Sequence, residues 1–324
     1  MSPVRPAADS RAPVLPEWSG LLPVDKPTGV TSHDVVAFAR RQLRQRGIGH
    51  LGTLDPNASG LLVLAIGVAT RCAMVWQGGR KTYAGTARFG VVTDTQDTQG
   101  RVLATSDVRP DESNVHAAAL VLTGELLQVP PMVSALKQNG ERLYDIARRG
   151  ETVEREPRAV RVDEWRWLAI GPDEASFEID CSGGTYVRTL VHDLGERLGC
   201  GAALSALRRL ASQPFTLAQA CPWPQLREAE AGVVLARHGV PLDRALEALP
   251  AVLLDDAGLE AVGRGQSPPA DAGAAPVGAG PRSVVLRSLS GRALGLGELA
   301  LERGVVRARP NVVFPWAVRE GKPV

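Results

Sequence analysis

The stretch from Gly47 to Gly60 contains four glycines and one proline and lies between a candidate helix and a continuous apolar run. Glycine and proline disfavour the interior of both helices and strands, so this stretch is predicted to be a long loop. The apolar run at 61–66 is predicted to be a central strand. Loops held on a rigid scaffold are where catalytic residues concentrate, which makes 47–60 the first candidate site.

The rest of the chain alternates between strand-like and helix-like patterns. Strands are expected at 20–24, 81–90, 101–104, 159–169 and 176–181, and helices at 32–46, 114–122 and 187–198. Thr31 or Ser32 can cap the first of these helices, while Thr185 is expected to cap the last one and Gly199 to close it. No internal repeat is visible.

The C-terminal part has a different pattern. Residues 266–282 are dominated by Pro, Gly and Ala and are predicted to be a flexible excursion. Short apolar runs at 283–289, 293–301 and 305–309 indicate a small all-β module. We therefore expect a disordered tail at 1–18, a catalytic domain at 19–249 and a C-terminal module at 250–324.

The composition excludes several classes of protein. The 324 residues are 44% hydrophobic and 22% charged, with a net charge of +2, which is typical of a globular protein and permits nucleic-acid binding without requiring it. The four cysteines form no CxxC pair and are expected to be reduced, buried small residues. No apolar run reaches the roughly 18 residues of a membrane helix, and the N-terminus lacks the apolar centre of a secretory signal. We expect a cytoplasmic protein, and a monomer because no coiled-coil pattern is present.

Lysine and tyrosine are scarce. Among 37 basic residues the only lysines are Lys26, Lys81, Lys137 and Lys322, and the chain has three tyrosines. Where arginine has displaced lysine so thoroughly, a surviving lysine is more often one that needs a compact ammonium group. Chance survival is the alternative for each of them.

Asp55 is the most chemically suggestive residue of the loop. It precedes Pro56, which favours extended backbone, and the glycines around it would let a ligand approach closely. Considered alone, an aspartate in such a loop is by default a turn former that bonds its own backbone, and a lone histidine such as His50 is usually structural. The loop by itself therefore leaves both interpretations open.

A second candidate segment is 181–188, where a strand passes through Gly183 and Gly184 into a helix. Two glycines before a helix could cradle a phosphate, but the GxxxxGK[ST] pattern of a nucleotide-triphosphate site is absent. Arg188 falls in the first helical turn, where a cation is unfavourable for the helix dipole. It is either a surface arginine or the partner of a carboxylate elsewhere in the chain.

Together these segments resemble the TruB-type tRNA pseudouridine-55 synthases, with motifs in order from about residue 20 to residue 210. The matching segments are 22–27, 49–56, 59–62, 81–83, 93–95 with Asp97, 130–137, 181–188, 192–195 and 207–209. The resemblance implies an α+β fold with a mostly antiparallel mixed sheet in the pseudouridine synthase catalytic domain. The last 70 residues or so match far less well; there the family carries a small PUA-like RNA-binding module.

The resemblance also implies roles for individual residues. The family isomerises a T-loop uridine of tRNA, at position 55, to pseudouridine, and Asp55 would be its catalytic aspartate with Arg188 as the paired cation. The residues implied to contact the RNA or the extruded base are His50, Tyr83, Tyr186 and Leu207. Lys26 and Lys137 are implied to make supporting contacts.

Physical chemistry is consistent with these roles. An isomerisation without redox change needs no nicotinamide, metal or ATP, so no cofactor is expected. A stacked base must first be extruded, and an aromatic face such as that of Tyr83 can then hold it. The Asp55 carboxylate could attack C1′, attack the uracil ring, or remove the C2′ proton, and the sequence does not choose among them.

Two rival functions remain at this point. One is a non-catalytic tRNA-binding or tRNA-folding protein on the same scaffold, a role that is not exclusive of catalysis. The other is a hydrolase or phosphotransferase with Asp55 as nucleophile, for which a second acidic cluster, a metal site and a P-loop are all missing. The joint presence of Asp55, Tyr83, Tyr186 and Arg188 favours an intact pseudouridine synthase that acts on the T-arm of tRNA.

Overall fold

The computed structural model describes residues 18–134, 136–138, 140–270 and 283–320. Eleven strands of this part form one large sheet: β1 (Gly20–Lys26), β2 (Ile48–His50), β3 (Ser59–Ile66), β4 (Lys81–Phe89), β7 (Gly124–Gln128), β10 (Arg158–Ile170), β11 (Glu174–Cys181), β12 (Ala202–Ser212), β13 (Phe215–Thr216), β14 (Cys221–Pro222) and β15 (Val240–Pro241). The central order is β14-β1-β3-β12-β4-β11-β10-β7. Among these described strands only β1–β14 and β3–β12 run parallel, which confirms the predicted α+β fold with a mostly antiparallel mixed sheet.

Strand β3 lies at the centre of the sheet, paired with β1, β2 and β12. Leu62, Leu64 and Ile66 pack into the core on one face, while Leu61 and Val63 pack into a second core on the other. A strand buried on both faces needs apolar residues at every position, which explains the continuous apolar run. The strand predicted at 61–66 is thus confirmed and begins two residues earlier, at Ser59.

Helices cover the sheet. They are α1 (Ser32–Gln42), α2 (Met74–Gln77), α3 (Glu112–Val121), α4 (Leu143–Arg148), α5 (Val187–Leu198), α6 (Trp223–Glu228), α7 (Ala231–His238) and α8 (Leu242–Ala245), with 3₁₀ turns at Gly67–Cys72 and Leu217–Gln219. Apolar residues of α1, α3, α5, α6 and α7 belong to the core of the first face. In the described part of the chain no helix is long and apolar enough to cross a membrane.

The ends of α1 and α5 only partly follow the prediction. Thr31 caps α1 through a reciprocal capping box with Asp34, but the helix ends at Gln42 rather than 46, and Arg44 just beyond it has φ of +52°. The N-cap of α5 is Tyr186, without a side-chain cap, so the expectation that Thr185 caps this helix is wrong. Gly199 closes α5 with a left-handed φ of +70°, as its position predicted.

Two short hairpins extend from the sheet, β5 (Val91–Thr93) with β6 (Val102–Thr105) and β8 (Lys137–Gln138) with β9 (Glu141–Arg142). The C-terminal module has its own sheet in the order β16 (Ala251–Leu254), β17 (Ser283–Ser288), β18 (Ala293–Glu302) and β19 (Val305–Val313), with α9 (Asp256–Gly263) and α10 (Pro315–Glu320). The predicted β module at the C-terminus is confirmed. Of the predicted excursion, residues 271–282 lie outside the described residues, while Pro268 and Ala270 hydrogen bond to β19.

The module packs directly on the second face of the large sheet. Val285, Leu296 and Phe314 share one apolar core with Leu21 and Val63 of β1 and β3. Residues 1–17 of the predicted tail lie outside the described residues, and Trp18 itself packs against the first core.

Candidate active site

A cavity of about 410 Å³ opens at one edge of β4 and β12, beside residues 51–55. Tyr83 on β4 and Leu207 and Arg209 on β12 form its floor, because β4 and β12 are neighbours and Arg209 lies directly across from Tyr83. Residues 184–188 at the start of α5 form one wall, and the loop that carries Asp55 forms another. Chain segments more than a hundred residues apart therefore meet at one site.

Backbone hydrogen bonds hold the Asp55 loop in place. The buried Ser32 hydroxyl both donates to the carbonyl of Leu54 and accepts from its N–H, each at 2.9 Å. The N–H of Gly29 donates to the carbonyl of Pro56 at 2.9 Å. Asp55 is thus fixed on both sides by backbone contacts to the N-terminal part of the chain, which positions its carboxylate without using the carboxylate itself.

The buried ammonium group of Lys26 supports the same loop from behind. Its Nζ donates to the carbonyls of Pro27 at 2.9 Å, Val30 at 2.6 Å and Pro56 at 3.3 Å. Burial lowers the pKa of Lys26 to about 8, while the negative charge of Asp55 acts in the opposite direction. Lys26 therefore acts as an internal clamp at the loop.

Arg188 reaches Asp55 as a two-pronged ion pair. Its Nε lies 2.9 Å from Asp55 Oδ2, and its Nη2 donates to Asp55 Oδ1 at 3.4 Å. The guanidinium also donates to the carbonyls of Thr95 and Val133, both at 2.9 Å, and lies 3.9 Å from Asp97 Oδ2. Side-chain exposure is 4% for Arg188 and 39% for Asp55, so the cation is buried and the carboxylate faces the cavity. The structure thus supplies the partner carboxylate that a first-turn arginine suggested.

Asp97 completes this arrangement from a turn between β5 and β6. Its Oδ1 accepts hydrogen bonds from the Thr95 hydroxyl at 2.8 Å and the Gln99 N–H at 3.0 Å. The Thr93 hydroxyl donates to the Asp97 carbonyl at 2.6 Å. The turn places a second carboxylate against Arg188, and so the guanidinium is held from two sides.

Arg209 clamps the other end of the loop. Its Nε donates to the carbonyl of Leu61 at 2.7 Å and its Nη2 to that of Gly52 at 3.0 Å. The side chain is 2% exposed. A Cβ on Gly60 would lie 2.3 Å from the Arg209 carbonyl, so the close approach of β3 and β12 at this point requires glycine.

Two tyrosines line the cavity. Burial raises the pKa of Tyr83, and burial likewise raises the pKa of Tyr186. Both phenols are therefore protonated at neutral pH and present a flat apolar face with one polar end. Such a pair suits a planar heterocycle with hydrogen-bonding groups along its edge.

The predicted site residues fall into two groups. Those that line the cavity together are Asp55, Tyr83, Tyr186, Arg188 and Leu207. His50 ends β2 next to Leu51, which lines the cavity, while His50 itself does not. Lys26 supports the loop from behind. The backbone of Lys137 lies in β8, and its side chain is outside the described part of the structure.

The sequence pattern assigned no role to Lys81 or Arg209, although both lie in matching segments and both line the cavity. The scarcity of lysine was a usable signal for Lys81, because its ammonium is buried and donates to the carbonyls of Gln77 and Gly79. No signal of this kind was available for Arg209 among so many arginines.

The cysteines behave as expected from their spacing. All four are free and buried. Burial raises the pKa of Cys72, Cys181 and Cys221 to about 11, which keeps their thiols protonated. Within the described ranges, His, Cys, Asp and Glu side chains form no group of three or more that could hold a metal ion.

Comparison with known proteins identifies the family. The family model described as TruB family pseudouridylate synthase (N terminal domain) matches residues 40–187, and that of the tRNA pseudouridylate synthase B C-terminal domain matches residues 188–247. tRNA pseudouridine synthase B of Opitutus terrae is 50% identical over 205 residues, covering 63% of this chain and 85% of the relative. The Geobacter sulfurreducens protein of the same name is 47% identical over 251 residues, covering 77% of this chain and 82% of the relative.

A solved structure extends the likeness to almost the whole fold. A chain in the crystal structure of a Cbf5-Nop10-Gar1 complex has a TM-score of 0.70 and 26% sequence identity, covering 98% of this chain and 95% of that chain. On this evidence the 324-residue chain belongs to the TruB family of pseudouridine synthases and is an isomerase that converts uridine in tRNA to pseudouridine.

Proposed function

We propose that Asp55 is the catalytic carboxylate and that the uridine it acts on is position 55, in the T-loop of tRNA. The observation that carries this proposal is the fork between Arg188 and Asp55 at the wall of the cavity. A buried guanidinium stabilises the negative charge of the carboxylate next to it, and Asp55 remains exposed enough to reach a base inside the cavity. The carboxylate is thus held in place beside a fixed positive charge before the RNA arrives.

The cavity residues receive roles that fit their surfaces. Tyr83 holds the extruded uracil on its ring face, and Tyr186 and Leu207 close the pocket around it. His50, at the end of β2 near the cavity, fills the space that the uridine leaves in the RNA stack. Lys26, and Lys137 by resemblance, support the loops that surround the base.

Three first steps are compatible with this geometry. Asp55 attacks C1′, attacks the uracil ring, or removes the C2′ proton to give a glycal. In each case the carboxylate must be ionised and close to the nucleotide, and Arg188 serves all three equally. The ion pair supports the assignment of Asp55 without selecting a route.

The proposed partner is the T-arm of tRNA, which the cavity binds by a flipped base and the C-terminal module by exposed arginines. Arg303 and Arg309 of this module are exposed, as expected for a PUA-like domain that contacts phosphates. We further propose that the protein acts as a monomer in the cytoplasm. Light scattering of the pure protein, with and without tRNA, tests the oligomeric state.

The experiment uses an unmodified tRNA transcript, an isolated T-arm stem-loop and a transcript with cytidine at position 55. Wild-type protein is expected to convert position 55 in the first two RNAs and to leave the third unmodified. Pseudouridine is mapped by its selective chemical adduct and primer extension. Conversion of a uridine elsewhere would contradict the T-loop assignment.

The same RNAs are incubated with Asp55→Asn, which preserves the shape of the side chain and removes its charge. We expect binding within a few-fold of wild type and no product, because every route needs the carboxylate. A wild-type protein that binds and refolds tRNA without converting it would favour the non-catalytic role instead.

A further inference from the structure

Two of the buried cations that line the cavity have no carboxylate partner among the described residues. Lys81 is 6% exposed and Arg209 is 2% exposed. Arg188 differs from them, because Asp55 and Asp97 balance its charge. Burial of an unbalanced charge is costly in an interior of low dielectric constant. The pair Lys81 and Arg209, here called the cationic floor, therefore needs an explanation.

Hydrogen bonds to backbone carbonyls explain why Lys81 and Arg209 carry N–H donors. They do not explain why these side chains are charged. Lys81 Nζ donates to the carbonyls of Gln77 at 3.0 Å and Gly79 at 2.9 Å, and Arg209 donates to backbone carbonyls of the Asp55 loop and β3. A neutral amide side chain could make such bonds without a buried charge. Burial lowers the pKa of Lys81, and the nearby Arg209 lowers it further. The two like charges thus disfavour each other as well as their surroundings.

The cationic floor is placed where a ligand can reach it. Both residues line the cavity on either side of Tyr83 in the sheet: Lys81 lies two positions before it on β4, and Arg209 lies across from it on β12. A Cβ on Gly183, the residue before the wall at 184–188, would lie 3.0 Å from Lys81 Nζ, so the chain packs closely around the ammonium here. One of the three N–H bonds of Lys81 has no acceptor among the described residues.

By two of the three first steps, attack at C1′ and removal of the C2′ proton, the reaction generates an anion in this cavity. Heterolysis of the N1–C1′ bond leaves its electron pair on the uracil, delocalised over N1, O2 and O4. The positive charge that develops at C1′ is removed in one of two ways. Either a carboxylate oxygen forms a bond to C1′, or the carboxylate takes the proton from C2′. Uracil C5 then bonds to C1′ as the carboxylate leaves or as the proton returns to C2′. Finally C5 loses its proton and N1 gains one, so the product is an isomer of the substrate.

We propose that the cationic floor stabilises the uracil anion between cleavage of the N1 bond and formation of the C5 bond. This inference rests on the proposed catalytic role of Asp55. Fixed positive charge in a site shielded from water is most effective against charge that develops during the reaction, because it needs no rearrangement at that moment. Stabilisation of the anion would explain why Lys81 and Arg209 are charged, since neutral side chains that only bind backbone carbonyls could not provide it.

The test compares target RNAs that carry uridine or 5-fluorouridine at position 55, in single turnover at saturating protein. Fluorine withdraws electrons, so the 5-fluorouracil anion is a weaker base and needs less stabilisation. The readout is loss of the N1-linked nucleoside, because a fluorinated C5 has no proton to lose. Lys81→Met removes the charge. Its matched control is Lys26→Met, which removes another buried ammonium held by backbone carbonyls but outside the cavity lining.

We expect Lys81→Met to slow the uridine reaction by about 10²-fold, the usual effect of removing one group that stabilises an anion. The same substitution should slow the 5-fluorouridine reaction by only about tenfold, since the rate of that reaction depends less on the cation. Lys26→Met should slow both substrates by the same factor. Lys81→Gln, which keeps hydrogen-bond donors, should show the same substrate dependence as Lys81→Met and replaces it if that variant does not fold.

Equal slowing of both substrates by the Lys81 variants would overturn the inference. Weaker RNA binding with an unchanged single-turnover rate would also overturn it, because Lys81 would then contact an RNA phosphate. Asp55→Asn in the same assay separates the two proposals. If it is inactive while the Lys81 variants show no substrate dependence, the cationic floor fails and the role of Asp55 stands.

Discussion

The described residues between 18 and 249, which carry the large sheet and the cavity and are called the catalytic domain below, bury different kinds of residue from the C-terminal module. The catalytic domain encloses Lys26, Lys81, Arg188 and Arg209, all 6% exposed or less. In the module, the described buried side chains are apolar except for Ser288. Both regions have an apolar core. Folding of the catalytic domain therefore does not require the buried charges.

The difference shows where buried charge lowers the stability of the catalytic domain. All four buried cations contact the Asp55 loop, line the cavity, or do both. Burying charge is unfavourable unless partners and hydrogen bonds compensate for it, so its concentration around one loop indicates that function maintains it. Stability in the module should instead follow apolar burial alone, and the two regions should respond differently to substitution.

The largest effect is expected for Arg188→Met in the catalytic domain. Loss of the guanidinium removes both bonds to Asp55, and the single-turnover rate should fall by roughly 10² to 10³-fold. Arg188→Lys should restore little, because an ammonium cannot make the two-pronged contact. Arg166→Met, which breaks an exposed ion pair with Glu178, is the control and should be as fast as wild type. A wild-type rate for Arg188→Met would remove the basis of the comparison.

The opposite result is expected for Leu286→Ala in the core of the module. Leu286 is fully buried among apolar residues, so the free energy of unfolding should fall by about 2–5 kcal/mol. The single-turnover rate of the folded variant should stay within about twofold of wild type. Urea unfolding measures the first quantity, and Leu289→Ala, at a position 72% exposed, should change it by less than about 0.5 kcal/mol. A large loss of rate in folded Leu286→Ala would show that the two regions are coupled.

A pH-dependent effect is expected for Lys26→Met. Burial lowers the pKa of Lys26 from 10.5 to about 8 in the folded protein, whereas the unfolded chain keeps the higher value. Between pH 8 and 10.5 the unfolded chain binds more protons, so the stability of wild type relative to Lys26→Met should rise with pH. The rise should be of the order of 1–3 kcal/mol. Urea unfolding at several pH values measures it, and a difference that stays constant or falls with pH would contradict the buried-charge interpretation.

The smallest effect is expected for Arg303→Glu and Arg309→Glu on the exposed surface of the module. Each should weaken tRNA binding a few-fold and lower the dependence of affinity on salt by about one unit of slope if it removes one phosphate contact. The rate with saturating protein should not change. Filter binding across salt concentrations measures both quantities. An unchanged affinity and slope in both variants would exclude these arginines from the RNA interface.

The sequence predicted the elements whose signal is local. The apolar run of β3, the capping of α1 by Thr31 and the left-handed end of α5 at Gly199 were all readable from neighbouring residues. The start of α5 was not. There Gln128 of β7 accepts from the Tyr186 N–H at 2.8 Å and donates to the Tyr186 carbonyl at 3.1 Å, which fixes Tyr186 rather than Thr185 at the N-cap position, and no side chain caps the helix. A contact across 58 residues leaves no trace in the local pattern.

The candidate site divides in the same way. Asp55 and Arg188 could be named because the glycine-rich loop and a cation in a first helical turn are each unusual, and the family resemblance joined them. The roles of Ser32 and Arg209 could not, because both act through backbone carbonyls that only the folded chain brings near. Side chains that recognise backbone leave no complementary residue in the sequence to indicate them.

The most direct test of the catalytic role of Asp55 compares the two carboxylates that contact Arg188. T-arm RNA carrying tritium at C5 of the target uridine is bound to excess protein, and tritium release is followed in a single turnover. Asp55 lies 2.9 Å from the guanidinium and Asp97 lies 3.9 Å from it. We expect no release by Asp55→Asn and slower but measurable release by Asp97→Asn. Release at the wild-type rate by Asp55→Asn would contradict the catalytic assignment.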